Sequence, residues 1–431
     1  MLVKRPFARA PAKPSAVFRW YRAVATGCAV LFFLYALWGY WFTFTHARPV
    51  DFLSFWAAGR MALHGQAIAA YDIVAHRLVE QTAAPIKGWL PFPYPAPFLM
   101  LVAPFGALPF WAAFALWIIS TGAIYIAGTR RAAPLLYALS HPAVLVNAWI
   151  GQNGFLTTGL FALGLTTLEQ NAVVGGAIFG LLIIKPQLAL LIPIALLAGR
   201  EWKAFVAAAT TASLLLLIGY FLFGFGVYRA FLQILPQQAQ FIAKSKVPWN
   251  ELASPFAFCR LLGVSTPYAL VVQGIAMLAA AGVTWRAWAL RLDTRGSTLA
   301  AATLLMPPYL FTYDSLLLII PMGWFIRNQR HPAAIAVIWI LCLLPIISYS
   351  GAYKGPNTVP VAAILCLVFL YRDDVKGVRR SGEPAKPAEP GGRAALRRLD
   401  GGPDARSNGE QRQTCPPDRI CAHAPTTASS V

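Results

Sequence analysis

The chain has 431 residues, of which 58% are hydrophobic, 13% aromatic and only 12% charged; a soluble domain of that size could not cover its surface with so few charges. This excludes a soluble globular protein and points to an all-α, polytopic membrane helical bundle. The formal net charge of +20 does not imply a nucleic-acid partner, because the basic residues of the apolar part stand before the first apolar run and in short connectors, where cytoplasmic loops concentrate Lys and Arg.

Six basic residues (Lys4, Arg5, Arg9, Lys13, Arg19, Arg22) and no acid occupy residues 1–22. The apolar run Ala23 to Thr45 that follows is of spanning length and lacks a small-residue cleavage site, so it reads as an uncleaved first helix with a cytoplasmic N-terminus. Residues 46–92 then form a first extracytoplasmic loop. Its opening, PVDFLSFWAAGRMALHGQAIAAYD from Pro49 to Asp72, places the carboxylate of Asp51 at the head of an amphipathic helix. Phe52, Phe55, Trp56, Gly59 and Leu63 share one face, the pattern of a helix lying on or just under a membrane surface. A second short helix is predicted from Ile73 to Thr82, with Asp72 as its N-cap.

Prolines at 91, 93, 95, 97, 104 and 109 force an extended stretch and break the next apolar run. The later apolar runs bring the expected count to roughly 10 to 13 spans; several fall short of the ~17 residues that cross a bilayer and so must be tilted, broken or buried. Arg200 with Lys203, Arg286 to Arg295, Arg327 with Arg330, and Arg372 onward read as cytoplasmic. Counting from these puts Gly151 to Asn153, a large loop over 225–265, Tyr313 with Asp314, and 351–357 on the same outer side as Asp51. Arg130 and Arg131 should be cytoplasmic, which requires a single net crossing from 97 to 128; two helices broken at Leu108 and Pro109 would make two. In the 225–265 loop an aromatic and aliphatic stretch is cut by Pro236 and ends in Lys244 and Lys246, fitting an interfacial anchor or a lipid-phosphate contact. The transmembrane domain thus covers 23–371, and 372–431, rich in Pro, Gly, Arg and Ser, reads as a disordered cytoplasmic tail.

Residues 1–371 contain eight acids: Asp51, Asp72, Glu80, Glu169, Glu201, Glu251, Asp293 and Asp314. Glu251 stands in an outer loop with no evident partner. No D-x-D pair is present, which argues against a nucleotide-sugar enzyme working through a divalent metal, and no phosphate loop, nucleophile elbow or H-E-x-x-H helix occurs. Neither metal nor another cofactor is indicated, and the cysteines lack zinc-site spacing.

The blocks DFLSFWAAGRMALHGQAIAAYD, PFPYPAPFLMLVAPFGALPFW, GQNG at 151–154 and KPQLALLIPIALLAGREWKA from Lys185 together resemble glycosyltransferase family 87, membrane enzymes of the GT-C superfamily that use polyprenyl-phosphate sugars. The resemblance covers roughly residues 45–315. It implies a plasma- or inner-membrane enzyme with its site at the extracytoplasmic face. One hexosyl (mannosyl) or pentosyl unit would pass with inversion from a polyprenyl-phosphate carrier to a glycolipid or glycan hydroxyl. The family's aspartate in the first outer loop maps onto Asp51. Where some relatives carry histidine after a proline pair, this chain has MPPYLFTYDS, so Tyr313 and Asp314 stand there.

The residues themselves suit that chemistry. A polyprenyl phosphate is a good leaving group already embedded in the bilayer; its transferase needs a base, groups that bind phosphate, and a groove open to lipid. Arg60 and Lys185 are the candidate phosphate contacts, Lys185 equally readable as a snorkelling anchor. Gln152, Asn153 and Gln187 are candidate sugar contacts, Tyr94 a stacking platform or an interfacial aromatic, and Asp72, Tyr313 and Asp314 further polar contacts. For Asp51 the competing role is an N-cap. The alternative function is a transporter or flippase for a lipid-linked sugar, which would put polar groups along a path through the bundle rather than concentrating them in outer loops.

Overall fold

The computed structural model describes residues 15–46, 50–85, 88–243, 249–347, 353 and 355–382, with side chains omitted for 238–243 and 377–382. Among these residues the regular secondary structure is helical, apart from an isolated bridge between Leu252 and Phe311. Lys244, Lys246 and residues 383–431, the expected surface anchor and most of the expected tail, lie outside the described residues.

In chain order, α1 (Ala16–Thr45) is followed by α2 (Phe52–Leu63), α3 (Ile73–Glu80) and α4 (Ala96–Val102), the last continued by a 3-10 segment, Ala103–Ala107. Next come α5 (Phe110–Thr129), α6 (Leu135–Leu139), α7 (Pro142–Ile150), α8 (Gly154–Leu168) and α9 (Ala172–Gly180) with its 3-10 continuation Leu181–Ile184. Helices α10 (Leu191–Ala198), α11 (Trp202–Phe223), α12 (Phe225–Ala243), α13 (Pro255–Leu261) and α14 (Thr266–Ala289) follow. The bundle closes with α15 (Arg295–Thr303), α16 (Ile319–Arg327), α17 (Pro332–Ile347) and α18 (Val359–Gly382). Four of these, α1, α5, α11 and α14, are each long and apolar enough to cross a membrane. Helix starts coincide with prolines, which tolerate the first turn but not the interior: Pro109 before α5, Pro134 before α6, Pro142 opening α7. Helix α12 departs from this rule, continuing through Pro236 where a break is expected. Helix α18 runs past Tyr371, where the tail is expected to begin, as far as Gly382.

Close backbone contacts fix the direction of the central helices. Helices α5 and α8 run side by side in the same sense: Trp117 Nε1 donates to the Gly151 carbonyl at 2.9 Å, Tyr125 packs on Phe155, and Gly128 abuts Gly159. Helix α9 returns antiparallel to α8, with Gly175 against Leu168 and Gly164 under the Phe179 ring. Lys185, just past the 3-10 continuation of α9, therefore arrives back at the end of the bundle where α8 starts.

Residues 96–109 form a short helix and a 3-10 segment rather than a helix of spanning length. The stretch folds onto α2, with Gly59 against the backbone of Val102 and Ala103, Gly106 against Arg60, and Trp56 Nε1 donating to the Leu108 carbonyl at 2.9 Å. Helix α5 begins beside Phe52, its Phe114 ring 5.6 Å away, and leads to Arg130, whose carbonyl accepts from Arg327 Nη2 at 3.0 Å. Between α2 and Arg130, α5 is the one described helix long and apolar enough to cross a membrane. Other basic connectors are tied down with them, as in Arg330 and His331 on Asp373 (3.8 and 2.9 Å) and Arg286 on Asp374 (3.9 Å). These two aspartates are what the extra turns of α18 contribute.

The structure corrects the expectation for α2. It is not a helix half-sunk in a membrane surface: Leu53, Ser54, Ala57 and Met61 are as buried as Phe52, Phe55, Trp56 and Gly59. The physical reason is the proline stretch, which covers the face an isolated amphipathic helix would leave open. Ser54 Oγ donates to the Pro91 carbonyl (2.9 Å), Tyr71 to the Tyr94 carbonyl (2.8 Å), and Trp89 Nε1 to His76 Nδ1 (3.1 Å). Within this brace burial pushes Glu80 up to about 8 and His76 down to about 4.

Placing a side chain at Gly106 would drive its Cβ into the Arg60 backbone. Gly106→Val should cost ~1–3 kcal/mol or abolish folding, seen as a lower thermal midpoint of the detergent-purified protein. Gly122→Val on α5, where a Cβ meets nothing within 4 Å, is the control; equal midpoints for the two would contradict the interlock.

Candidate functional site

A cluster of buried polar residues lies at the end of the bundle where α7 stops and α8 starts. Helix α7 ends on Gly151, whose φ of 72° is left-handed and whose Cβ would strike Phe52 and Phe114; glycine alone meets both demands. The turn sends the next three residues to three partners. Gln152 Nε2 donates to Asp51 Oδ2 at 2.7 Å, Asn153 Oδ1 accepts from Lys185 Nζ at 2.9 Å, and the Gly154 amide donates to Asn147 Oδ1 at 2.9 Å.

Lys185 comes to the cluster because Pro186 follows it. A residue before proline is pushed out of the helical region, and Lys185 breaks the run with φ −141° and ψ 73°. Its ammonium is 2.5 Å from Asp314 Oδ1 and 4.6 Å from the centroid of the Tyr313 ring, and both charged side chains are almost fully buried. A second observation marks the spot: Asn153 Nδ2 and Asp314 Oδ2 are buried polar atoms without a hydrogen-bond partner. An unmet donor and an unmet acceptor flanking a buried ammonium are costly in a closed core and useful where a polar ligand docks.

Asp51 leaves its capping role unfilled. It precedes α2 with helical φ and ψ of −59° and −29°, and its side chain makes no cap bond. The half-buried carboxylate instead engages Gln152. Burial pushes its carboxyl above the usual carboxylate range, and the Gln152 bond draws it partway back.

The remaining candidates divide. The Tyr94 hydroxyl faces Tyr313 and Asn153, close enough to Asp314 and Asp51 to feel their charges. Its ring is covered, however, with Phe98 at 4.4 Å and Phe55 at 5.4 Å, so it presents a hydroxyl to the site and offers no stacking face. Tyr313 likewise lies against Phe311, ring to ring at 5.5 Å. Asp72 caps α3, accepting from the amides of Val74 (3.0 Å) and Ala75 (2.8 Å). Arg60 belongs elsewhere: it stands nine positions after Asp51, about 13 Å along the α2 axis, over the Trp56 ring with Nη1 on the Gly106 carbonyl. Gln187 is half-buried and makes no side-chain hydrogen bond among the described residues.

Two residues escape the sequence reading. Asn147, fully buried, supports the turn: its Nδ2 donates to the Tyr313 carbonyl at 3.0 Å while its Oδ1 holds the Gly154 amide. A polar residue in an apolar run, four before the GQNG block, was its only signal. Glu251 lies close enough to Asp51 for that charge to raise its carboxyl, which burial chiefly lifts to about 7. Nothing in its surrounding sequence marks it.

A bundle with four helices of spanning length and a buried polar cluster where its broken helices meet is the build of a polytopic membrane protein. The model of glycosyltransferase family 87 matches residues 92–310, just over half of the chain, and the chain belongs to that family. No curated protein and no solved structure matches it. The matched stretch contains Tyr94, Asn147, Gln152, Asn153, Lys185, Gln187 and Glu251, while Asp51, Tyr313 and Asp314 flank it.

The buried pair can be tested by a double-mutant cycle. Asp314→Asn leaves an uncompensated ammonium and should cost ~3–5 kcal/mol, whereas Lys185→Met combined with Asp314→Leu should fold nearly as stably as the wild type. A double variant no more stable than Asp314→Asn in thermal unfolding would contradict the pairing.

Proposed function

We propose that this glycosyltransferase moves one hexosyl, in the first instance mannosyl, or pentosyl unit from a polyprenyl-phosphate sugar to a hydroxyl of a glycolipid or glycan. The reaction takes place at the extracytoplasmic face of the cell membrane and proceeds with inversion. The observation that carries this reading is the state of Asp51, a half-buried carboxylate held by Gln152, making no cap bond. Its company of Lys185, Asp314, Asn153 and the Tyr94 hydroxyl supplies the rest of the chemistry.

In this reading the donor lies in the bilayer beside the bundle, with its phosphate toward the Lys185 ammonium and the Asn153 amide. As the bond from the anomeric carbon to the phosphate oxygen breaks, the acceptor oxygen attacks from the opposite face and its proton passes to Asp51. Polyprenyl phosphate leaves with the bonding electron pair, its charge balanced by Lys185. Burial helps the base, since a carboxylate lifted above its ordinary range binds the incoming proton more strongly. Lys185 enters already neutralised by Asp314, so an arriving phosphate must share that ammonium. The unmet Asn153 Nδ2 offers it a further donor.

The outward placement rests on the charge map. The basic connectors tied by Arg327 to Arg130 and by Arg286, Arg330 and His331 to α18 lie at the end of the bundle opposite the Asp51 cluster, and Lys and Arg favour cytoplasmic loops.

Asp51→Asn preserves size and can still accept from Gln152 but has no basic carboxylate. Transfer from a polyprenyl-phosphate mannose to membrane acceptors should fall by at least about a hundredfold, with the thermal midpoint near wild type because no cap bond is lost. Near-normal turnover in that variant would reject Asp51 as the base.

A further inference from the structure

Among the acids that the mechanism above leaves unused, Glu251 is the one placed at its edge. The segment Trp249–Ala253 is strapped to the strand-like residues that lead into Tyr313 and Asp314. The Ala253 amide donates to the Leu310 carbonyl at 2.6 Å, Leu252 bridges Phe311, and Thr312 Oγ1 donates to the Glu251 carbonyl at 3.0 Å. Asn357, fully buried, closes the strap from α18's side by donating Nδ2 both to the Asn250 carbonyl (3.0 Å) and to Thr312 Oγ1 (2.8 Å). Four backbone and side-chain bonds therefore hold Glu251 in register with the segment that delivers Asp314 to Lys185.

The Glu251 side chain itself is half-buried and takes part in no hydrogen bond or ion pair among the described residues, although it lies within electrostatic range of Asp51. A carboxylate held so firmly at its backbone, yet unpartnered at its oxygens among the described residues, is placed to accept hydrogen bonds from a bound molecule. The cations of the site are already committed: Lys185 to Asp314 and Asn153, and Arg260 to the Val264 carbonyl at 2.7 Å and the Trp249 ring. Two carboxyl groups within electrostatic range of each other disfavour a phosphate there, so the donor's anionic half belongs on the Lys185 side. The neutral, hydroxyl-rich partner belongs between Asp51 and Glu251.

We propose that Glu251 binds the acceptor, accepting hydrogen bonds from hydroxyls neighbouring the one that Asp51 deprotonates, and so directs the attacking oxygen and selects a polyhydroxylated acceptor. It is a positioning and specificity residue with no part in proton transfer to the leaving group. The inference rests on the function proposed above and adds the acceptor side of the same site.

The test follows the fate of labelled sugar in membranes supplied with polyprenyl-phosphate [14C]mannose, separating transfer into extractable glycolipid from release of free mannose by attack of water. Water needs Asp51 but no oriented acceptor. Glu251→Gln and Glu251→Ala should therefore lose transfer by about ten- to a hundredfold, the worth of hydrogen bonds to a charged group, while free-mannose release stays within about twofold of wild type. Asp51→Asn should lose both. Equal loss of transfer and release in the Glu251 variants, or no loss in either, would overturn the assignment. A wild-type protein that neither transfers nor releases mannose, in a preparation shown to be folded, would instead remove the donor reading on which the assignment stands.

Discussion

The ion pair between Lys185 and Asp314 sets the terms for the rest of the molecule. Two charges buried at 2.5 Å in an otherwise apolar bundle are tolerable only if both are placed with precision and their remaining polar valences have somewhere to go. The two residues are far apart in the chain, and each must leave its helix to meet the other. That requirement explains why the helices at this end are broken. Pro186 ejects Lys185, the left-handed Gly151 turns Asn153 toward it, and the extended stretch after Pro307 and Pro308 delivers Asp314. Uninterrupted helices would satisfy more backbone hydrogen bonds and hold no site at all.

Asp51 is held by a different means. Its helix is clamped at Gly59 and Gly106, where only the absence of side chains lets two backbones touch, and the proline stretch keeps Phe92, Tyr94 and Phe98 packed on Phe55. The aromatic layer is buried core. It fixes the start of α2 so that the carboxylate meets Gln152 rather than turning back onto its own helix. The Lys185 and Asp51 parts of the cluster, donor half and base half on the proposed function, are thus built by separate parts of the chain and joined through the Gln152–Asn153 dipeptide, each residue of which bonds to one part.

Much of this was legible in the sequence, and the reasons for the failures are physical. Apolar run lengths and prolines foreshadow the helices closely, because both act through local chemistry. The residues GQN and KPQ marked the turns that carry the polar cluster. The environment of α2 was misread because amphipathic periodicity reports what a helix could expose and says nothing of what a distant proline stretch will cover. Tyr94 lies at the polar cluster, but its ring is packed on Phe55 and Phe98, so it turns a hydroxyl rather than a stacking face toward Tyr313 and Asn153. Arg60 shares a helix with Asp51, yet about 13 Å of helix axis separates them. Glu251 and Asn147 were not taken as site residues because their importance comes chiefly from partners 61 to 166 positions away in the chain, Thr312 and Asn357 for the segment of the first, Tyr313 for the second.

The most direct test of the account is a map of the protein, reconstituted in lipid nanodiscs, with a non-transferable phosphonate analogue of a polyprenyl-phosphate sugar bound. The account predicts the phosphonate group against Lys185 and Asn153, the anomeric carbon facing the Asp51 carboxylate, and the prenyl chain leaving toward lipid at that end of the bundle. A phosphonate lodged at Arg60, or at the opposite end among the arginines that face Asp373 and Asp374, would contradict it.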